Sequence, residues 1–179
     1  VTAPQALEAE LAPLVVEGFV GLRQADPAEK LRSLGRFRVL CAHRRGPFGA
    51  EELNPQIETW LHNAGVLRVR GEWYEGRPVM VVENDYQLGL FNGDVGVLAR
   101  DAEGRLRAWF AVGDELRSLV PARLPPHETV FVTTVHKSQG SEFDHVALVL
   151  PQNPSPVVTR ELVYTCLLYT SDAADDETS

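Results

Sequence analysis

Hydrophobic and polar positions change their period twice along this chain. From Gln5 to Glu17 apolar and acidic residues recur at helical spacing. Asp26-Pro27 then offers an N-cap followed by proline at the first helical position, with Glu29 completing a capping box, so a helix is predicted over Ala28 to Leu34. Arg36 to Ala42 alternates charge and bulk before turning apolar, a strand running into the loop His43 to Gly49. Leu53, Ile57, Trp60 and Leu61 fall on one face of a helix over Glu51 to Ala64. At Gly65 the pattern shortens to strands over Pro78–Val82, Asp94–Ala99, Arg105–Val112 and Leu116–Pro121, with tight turns at Asn92-Gly93 and Glu103-Gly104. Pro121, Pro125 and Pro126 close that stretch. The longer pattern returns at Thr129: a β-branched strand over Thr129–Val135, a polar loop over His136–Glu142, and an apolar strand over His145–Leu150. The economical reading is an α/β domain in two pieces, 1–65 and 127–168, interrupted by a small β-barrel over 66–126, with 169–179 as a separate tail.

Composition changes this picture little. Hydrophobic content of 44% and charged content of 23% suit a soluble globular domain. No apolar run approaches the ~20 residues that a membrane-spanning helix needs, no signal peptide opens the chain, and no membrane partner is expected. Cys41 and Cys166 are far apart without a CxxC, and Cys41, inside an apolar strand, reads as a buried thiol; that usage suits a reducing cytoplasm. The five histidines show no close ligand spacing, so no metal site is expected. The net charge of −8 argues against strong non-specific nucleic-acid binding by the chain alone. Asp172, Asp175, Asp176 and Glu177 contribute four of those charges, however, and residues 1–171 carry only −4.

The chemistry concentrates in the loop after Val135. In open α/β sheets, ligands bind where loops leave the carboxyl ends of strands. His136-Lys137-Ser138-Gln139-Gly140-Ser141-Glu142 is small, polar and cationic; Gly140 permits close backbone approach, and Ser138 is placed to cap a short helix. These residues fit an anion site or simply a capped turn.

TVHKSQGSEFDHVALVLP resembles motif V of superfamily 1 DNA helicases, and more narrowly the RecD family, the alpha subunit of exodeoxyribonuclease V (RecBCD). Three further blocks agree in order: FRVLCAHRRGPFGAEELN, WYEGRPVMVVENDYQLGLFNGDVGV and PVVTRELVYT, so the resemblance covers Leu31 to Thr165. It implies a RecA-like (P-loop NTPase-type) second helicase domain with an inserted SH3-like barrel, in a parent using ATP and Mg2+ as a 5′-to-3′ helicase in double-strand-break repair. The implied partners are single-stranded DNA, RecB-like and RecC-like subunits, and a first RecA-like domain of the same protein.

Carried over by position, Gln139 and Gly140 would face the phosphates and Glu142 the ribose. Thr134, His136 and Ser138 would contact the DNA backbone, with Lys137 as a phosphate cation. Arg44 or Arg45 would approach the triphosphate, where a fixed guanidinium has most effect. The structural alternatives are loop hydrogen bonding for His136, a solvated side chain for Lys137, and a surface role for each arginine. Asn54 reads as the cap of a helix from Pro55. Asn84-Asp85 and Leu90 to Asp94 read as turns, and Phe91, Trp109 and Phe110 as barrel core.

The chain departs from the family at its end. No arginine or lysine follows Arg160, so the motif VI arginine is missing, and no GxxxxGK[ST] phosphate loop occurs. The expectation is the C-terminal piece of a longer subunit, with no catalytic residue of its own, no bound cofactor and no ATPase activity alone. CLLYTSDAADDE is read as sequence read-through or, alternatively, a natural acidic tail. A stand-alone RecD-like or conjugative-relaxase helicase, and a non-catalytic interaction module, are the competing functional readings.

Overall fold

The structure is a computed structural model and describes residues 4–151, with side chains from residue 6. The PVVTRELVYT block, Arg160 and the acidic tail lie outside the described residues. The described residues divide into two units: 4–18, 35–60 and 131–151 form one, and 19–34 and 61–130 the other.

The first unit is built on a three-stranded parallel sheet, with β1 (Phe37–Cys41) between β7 (Val132–Thr134) and β8 (His145–Val149). Helix α1 (Pro4–Gly18) packs on β1 and β8, burying Leu11 and Val15. All five residues of β1 are buried, as expected of a central parallel strand covered on both faces. Helix α3 (Ala50–Asn63) contributes the fully buried Leu53 and Ile57.

Asn54 is not a cap. The helix begins at Ala50, and its first amides are taken up by the preceding loop: Ala50 N donates to His43 O (3.0 Å) and Glu51 N to Arg44 O (2.9 Å). Asn54 therefore sits inside the helix, where its carboxamide ties α3 to β7. Its Oδ1 accepts from Phe131 N (2.7 Å) and Val132 N (3.0 Å), while Nδ2 donates to Val132 O (3.2 Å) and to Ala50 O (3.0 Å). One side chain thus satisfies three backbone groups beside the sheet, which otherwise would be buried without partners.

The second unit holds a five-stranded antiparallel sheet in the order β5-β4-β3-β2-β6, formed by β2 (Pro78–Val81), β3 (Val95–Arg100), β4 (Leu106–Val112), β5 (Glu115–Leu119) and β6 (His127–Thr129). Val79, Val81, Leu90, Leu98, Ala108 and Phe110 form its packed cluster. Gly96 lies opposite Phe110, and a Cβ there would fall 2.6 Å from the ring, so only glycine lets this aromatic lie flat on β3. Helix α2 (Pro27–Arg36) starts as expected at Asp26, whose Oδ1 accepts from Ala28 N at 3.0 Å; Glu29 pairs with Arg32 rather than reaching back.

Three expectations are corrected. The sheet is open: among the described residues no β5–β6 pairing closes it into a barrel. The run Thr129–Val135 is two strands, because β6 pairs with β2 in one sheet and β7 with β1 in the other. Val130 N still donates to Pro78 O, whereas the Phe131 carbonyl accepts from Val39 N. Hydrophobicity is continuous across that switch; the hydrogen-bond partners are not. Finally, Phe110 and Trp109 are held in the sheet, Trp109 through Nε1 donating to Ala99 O (3.0 Å), but Phe91 is 44% exposed and meets Tyr86 edge-on.

The turn readings fit the geometry. Asn84 Oδ1 accepts from Asn92 N, Asp85 Oδ1 from Leu88 N, and Asp94 Oδ2 from Phe91 N, all within 2.9 Å. Gly93 and Gly104 take the positive φ values these turns need.

The Asn54 clamp makes a direct prediction. Asn54→Ala leaves the Phe131 and Val132 amides without their acceptor, and the expected loss is about 2–3 kcal/mol in urea unfolding followed by circular dichroism. A loss below about 0.5 kcal/mol would show that the clamp contributes nothing.

Candidate functional site

Because β1 and β7 are parallel and in register at Cys41 and Thr134, their carboxyl ends lie side by side. Two loops leave that edge: residues 42–49 after β1 and residues 135–144 after β7. The β7 loop is fastened at its start, with Val135 N donating to Cys41 O (2.9 Å) and Ser138 N to Thr134 O (3.1 Å). It then runs back along the sheet, since His145 pairs with Phe37 at the opposite end of β1. On the way the Phe143 ring lies 4.9 Å from the guanidinium carbon of Arg38, a buried β1 residue. Burial pushes the Arg38 guanidinium down to about 10, which still leaves it protonated at neutral pH. This cation–π contact was invisible in the sequence, where Arg38 read only as an alternating strand position.

The predicted residues divide into inward and outward groups. Ser138 is buried, its hydroxyl donating to Val135 O (2.8 Å), and the segment that it was expected to cap is a series of turns rather than a helix. Thr134 Oγ1 accepts from Lys137 N (3.3 Å). His136, Lys137, Gln139 and Glu142 are exposed, and their side chains have no hydrogen bond or ion pair among the described residues. Gly140 adopts φ +84°, and nothing lies within 4 Å of the position a Cβ would take. The turn therefore needs glycine for its backbone and presents open space beside it. The structure brings Thr134, Ser138, Gln139 and Gly140 together in one tight turn, while Glu142 lies on the returning segment.

Arg44 and Arg45 sit on the neighbouring loop, both exposed and both turned to Glu51: Arg44 Nε donates to Oε1 at 2.9 Å, and Arg45 Nε is 3.7 Å from Oε2. Exposed pairs of this kind contribute about 0–1 kcal/mol, so Arg45 can leave Glu51 for an anionic ligand at little cost. The amino end of α3 offers no comparable anion site, because its first amides are already bonded within the loop.

Similarity to known proteins converges on the same segment. Residues 129–167 match the family described as the UvrD-like helicase C-terminal domain. The RecBCD enzyme subunit RecD of Mycolicibacterium smegmatis is 43% identical over 162 residues, covering 88% of this chain and 28% of that protein. The RecD subunit of Haemophilus influenzae is 43% identical over 130 residues, 72% of this chain and 19% of that protein. This chain belongs to the RecD family. The ATP-dependent RecD2 DNA helicase of Deinococcus radiodurans is 32% identical over 152 residues, 84% of this chain and 21% of that one. Among solved structures, Pif1 helicase from Bacteroides in complex with ADP-AlF3 and ssDNA has a TM-score of 0.44 at 16% identity, over 86% of this chain and 42% of that chain; the family assignment does not draw on it. The chain spans 28% or less of the length of these RecD-family relatives.

One further group at this edge is chemically distinctive. Cys41 is buried at the end of β1; burial raises its thiol to about 11, opposed by its hydrogen bonds near His43 and Ala50. An unfolded thiol ionises near ~8.5. The folded protein thus holds the proton more tightly, and the stability this contributes is complete below the unfolded value and lost as pH rises from about 8.5 towards 11. Iodoacetamide at pH 8 should accordingly leave the Cys41 peptide unmodified in the native protein and alkylate it in urea. The stability of wild type relative to Cys41→Ala should also fall as pH rises above about 8.5. Rapid native alkylation of Cys41, read by peptide mass mapping, would contradict this burial.

Proposed function

We propose that this chain is the second RecA-like wall of an ATP-dependent 5′-to-3′ DNA helicase subunit, acting with RecB-like and RecC-like partners in double-strand-break repair and recombination in the cytoplasm. The observation that carries the proposal is the edge where β1 and β7 end together. One loop there offers two exposed guanidinium groups, and the other an open glycine flanked by polar side chains with no partner among the described residues. In this reading the boundaries are 1–65 with 127–168 for the RecA-like part and 66–126 for an SH3-like insertion; β2 to β5 of the open antiparallel sheet fall in that insertion, and β6 lies just beyond it.

The residues fit a nucleoside triphosphate in part. Gln139 can donate an amide hydrogen to a phosphate oxygen, Gly140 allows close approach, Glu142 can accept from a ribose hydroxyl, and Arg44 or Arg45 can neutralise phosphate charge. Bound ATP would supply the free energy that alternates the grip on DNA. Mg2+ is assigned to the first RecA-like domain of the parent. His136 and Lys137 project outward from the same turn and are assigned to the DNA backbone; Thr134 and Ser138 act there by holding the turn that presents them.

The test uses the full-length parent purified with its partner subunits. Gly140→Val and Gln139→Ala should each lower DNA-stimulated ATP hydrolysis by roughly tenfold or more, at the scale of one lost transition-state donor. Lys137→Ala should leave basal hydrolysis intact and reduce the salt dependence of single-strand binding by about 0.7 in log–log slope. The 179-residue chain alone should show no DNA-stimulated turnover. Wild-type hydrolysis by both Gly140→Val and Gln139→Ala would remove the nucleotide assignment.

A stand-alone RecD-like helicase is the second reading, favoured by the 32% identity to the Deinococcus radiodurans protein. Co-purification of the parent with RecB-like and RecC-like subunits separates the two.

A further inference from the structure

The second unit contains a feature that the RecD resemblance does not explain. Arg77 is buried, with its side chain 7% exposed. Its Nε donates to Thr129 Oγ1 (2.9 Å), and Nη2 lies 3.9 Å from Glu72 Oε1, but among the described residues Nη1 has no hydrogen-bond partner. Such a vacancy on a buried cation is costly and calls for an acceptor. Over Arg77 lies the Trp73 ring, 5.5 Å from the guanidinium carbon, and the same ring meets His127 at 5.7 Å. His127 Nδ1 is 2.8 Å from the Pro125 carbonyl, and its buried Nε2 also lacks a partner. An aromatic ring braced from within by a guanidinium and an imidazole is nevertheless 42% exposed.

The segment around Trp73 carries Arg68, Arg70 and Arg77 against Glu72 and Glu75, and both carboxylates lie within 4 Å of a cation: Glu72 of Arg77, Glu75 of Lys30 and Arg100. Arg68 and Arg70 are exposed, and neither has an ion pair or hydrogen bond among the described residues. Cations spaced along a loop with an exposed indole at its end form a combination suited to single-stranded nucleic acid. The cations follow the phosphates, and the ring stacks a base regardless of sequence. An acidic peptide would satisfy the arginines but would leave the indole without a matching planar group.

We propose that the segment Arg68–Arg77 is a second contact for single-stranded DNA, in which Trp73 stacks a base, Arg68 and Arg70 hold flanking phosphates, and Arg77 Nη1 receives a phosphate oxygen. Because Nη1 is buried, the groups that cover it must shift to admit that oxygen. The inference rests on the reading that the parent grips single-stranded DNA, and it places part of that grip in the antiparallel unit.

The experiment is fluorescence anisotropy of a labelled oligo-dT of about twelve nucleotides, matched to single-strand site sizes, titrated with the 179-residue chain at low ionic strength. Trp73→Ala should weaken binding by about tenfold, and Trp73→Phe should restore most of it. The double variant Arg68→Gln/Arg70→Gln should lower the log–log salt slope by about 1.4, whereas Arg123→Gln, an exposed charge elsewhere in the unit, should not match that per-charge effect. Thermal melts establish that each variant is folded; these exposed substitutions keep the test valid even if Arg77→Gln does not fold. Unchanged affinity in folded Trp73→Ala overturns the inference. If Lys137→Ala weakens binding and Trp73→Ala does not, this inference fails while the proposed function stands. The reverse pattern supports it and removes Lys137 from the DNA site. No binding by wild type at low salt overturns this contact.

Discussion

The structure depends on β1 finding parallel partners that lie far along the chain. Val39 pairs with Val132 on one side and Ala147 on the other, so no hydrogen-bonded neighbour of this buried strand comes from the residues immediately around it. A parallel partner cannot be supplied by a tight turn, and closing so long a loop costs entropy before any ladder bond is made. The intervening residues 61–130 reduce this cost by folding largely on local antiparallel pairings, β3 with β4 and β4 with β5. When β7 arrives, Asn54 is already on α3 to receive Phe131 and Val132. The edge that both candidate loops leave exists only because that pairing is made.

This division between local and distant contacts explains what was legible in the sequence. Helices α2 and α3 and the hairpins at Gly93 and Gly104 were readable to within a few residues, because caps, apolar stripes and turn glycines are local signals. The split of Thr129–Val135 was not. Every residue from Thr129 to Val132 suits a strand, and only the change of partner from Val79 to Leu40 and its neighbours divides them. Asn54 was misread for a related reason: followed by proline, it has the local grammar of a cap, while its actual acceptors and donors belong to β7.

The candidate site was legible as chemistry but not as direction. The polarity of residues 136–142 marked the loop, yet Ser138 is turned inward and His136 and Lys137 outward, a distinction set by the bonds at Thr134 and Val135. Arg44 and Arg45 were recognisable as cations after a strand, whereas their common anchor at Glu51 requires the loop to fold back on α3. Trp73 and Arg77 stood in a recognised block without an assigned role, since only β6 brings His127 and Thr129 to them.

Net charge is a poor guide to what such a chain can hold. Of its excess acid, four residues stand beyond residue 171. Within the described part many carboxylates are already engaged: Asp85 and Asp94 accept turn amides, Asp101 accepts from Arg105, and Glu51 receives both Arg44 and Arg45. Arg68, Arg70 and Lys137, by contrast, have no carboxylate partner among the described residues. A phosphate approaching within the ~10 Å screening distance senses these unpaired groups rather than the sum over the molecule. An acidic protein can therefore present cationic contacts to a single strand. It also avoids the indiscriminate binding of a uniformly basic surface, as the proposed alternation of grip and release on a strand would require.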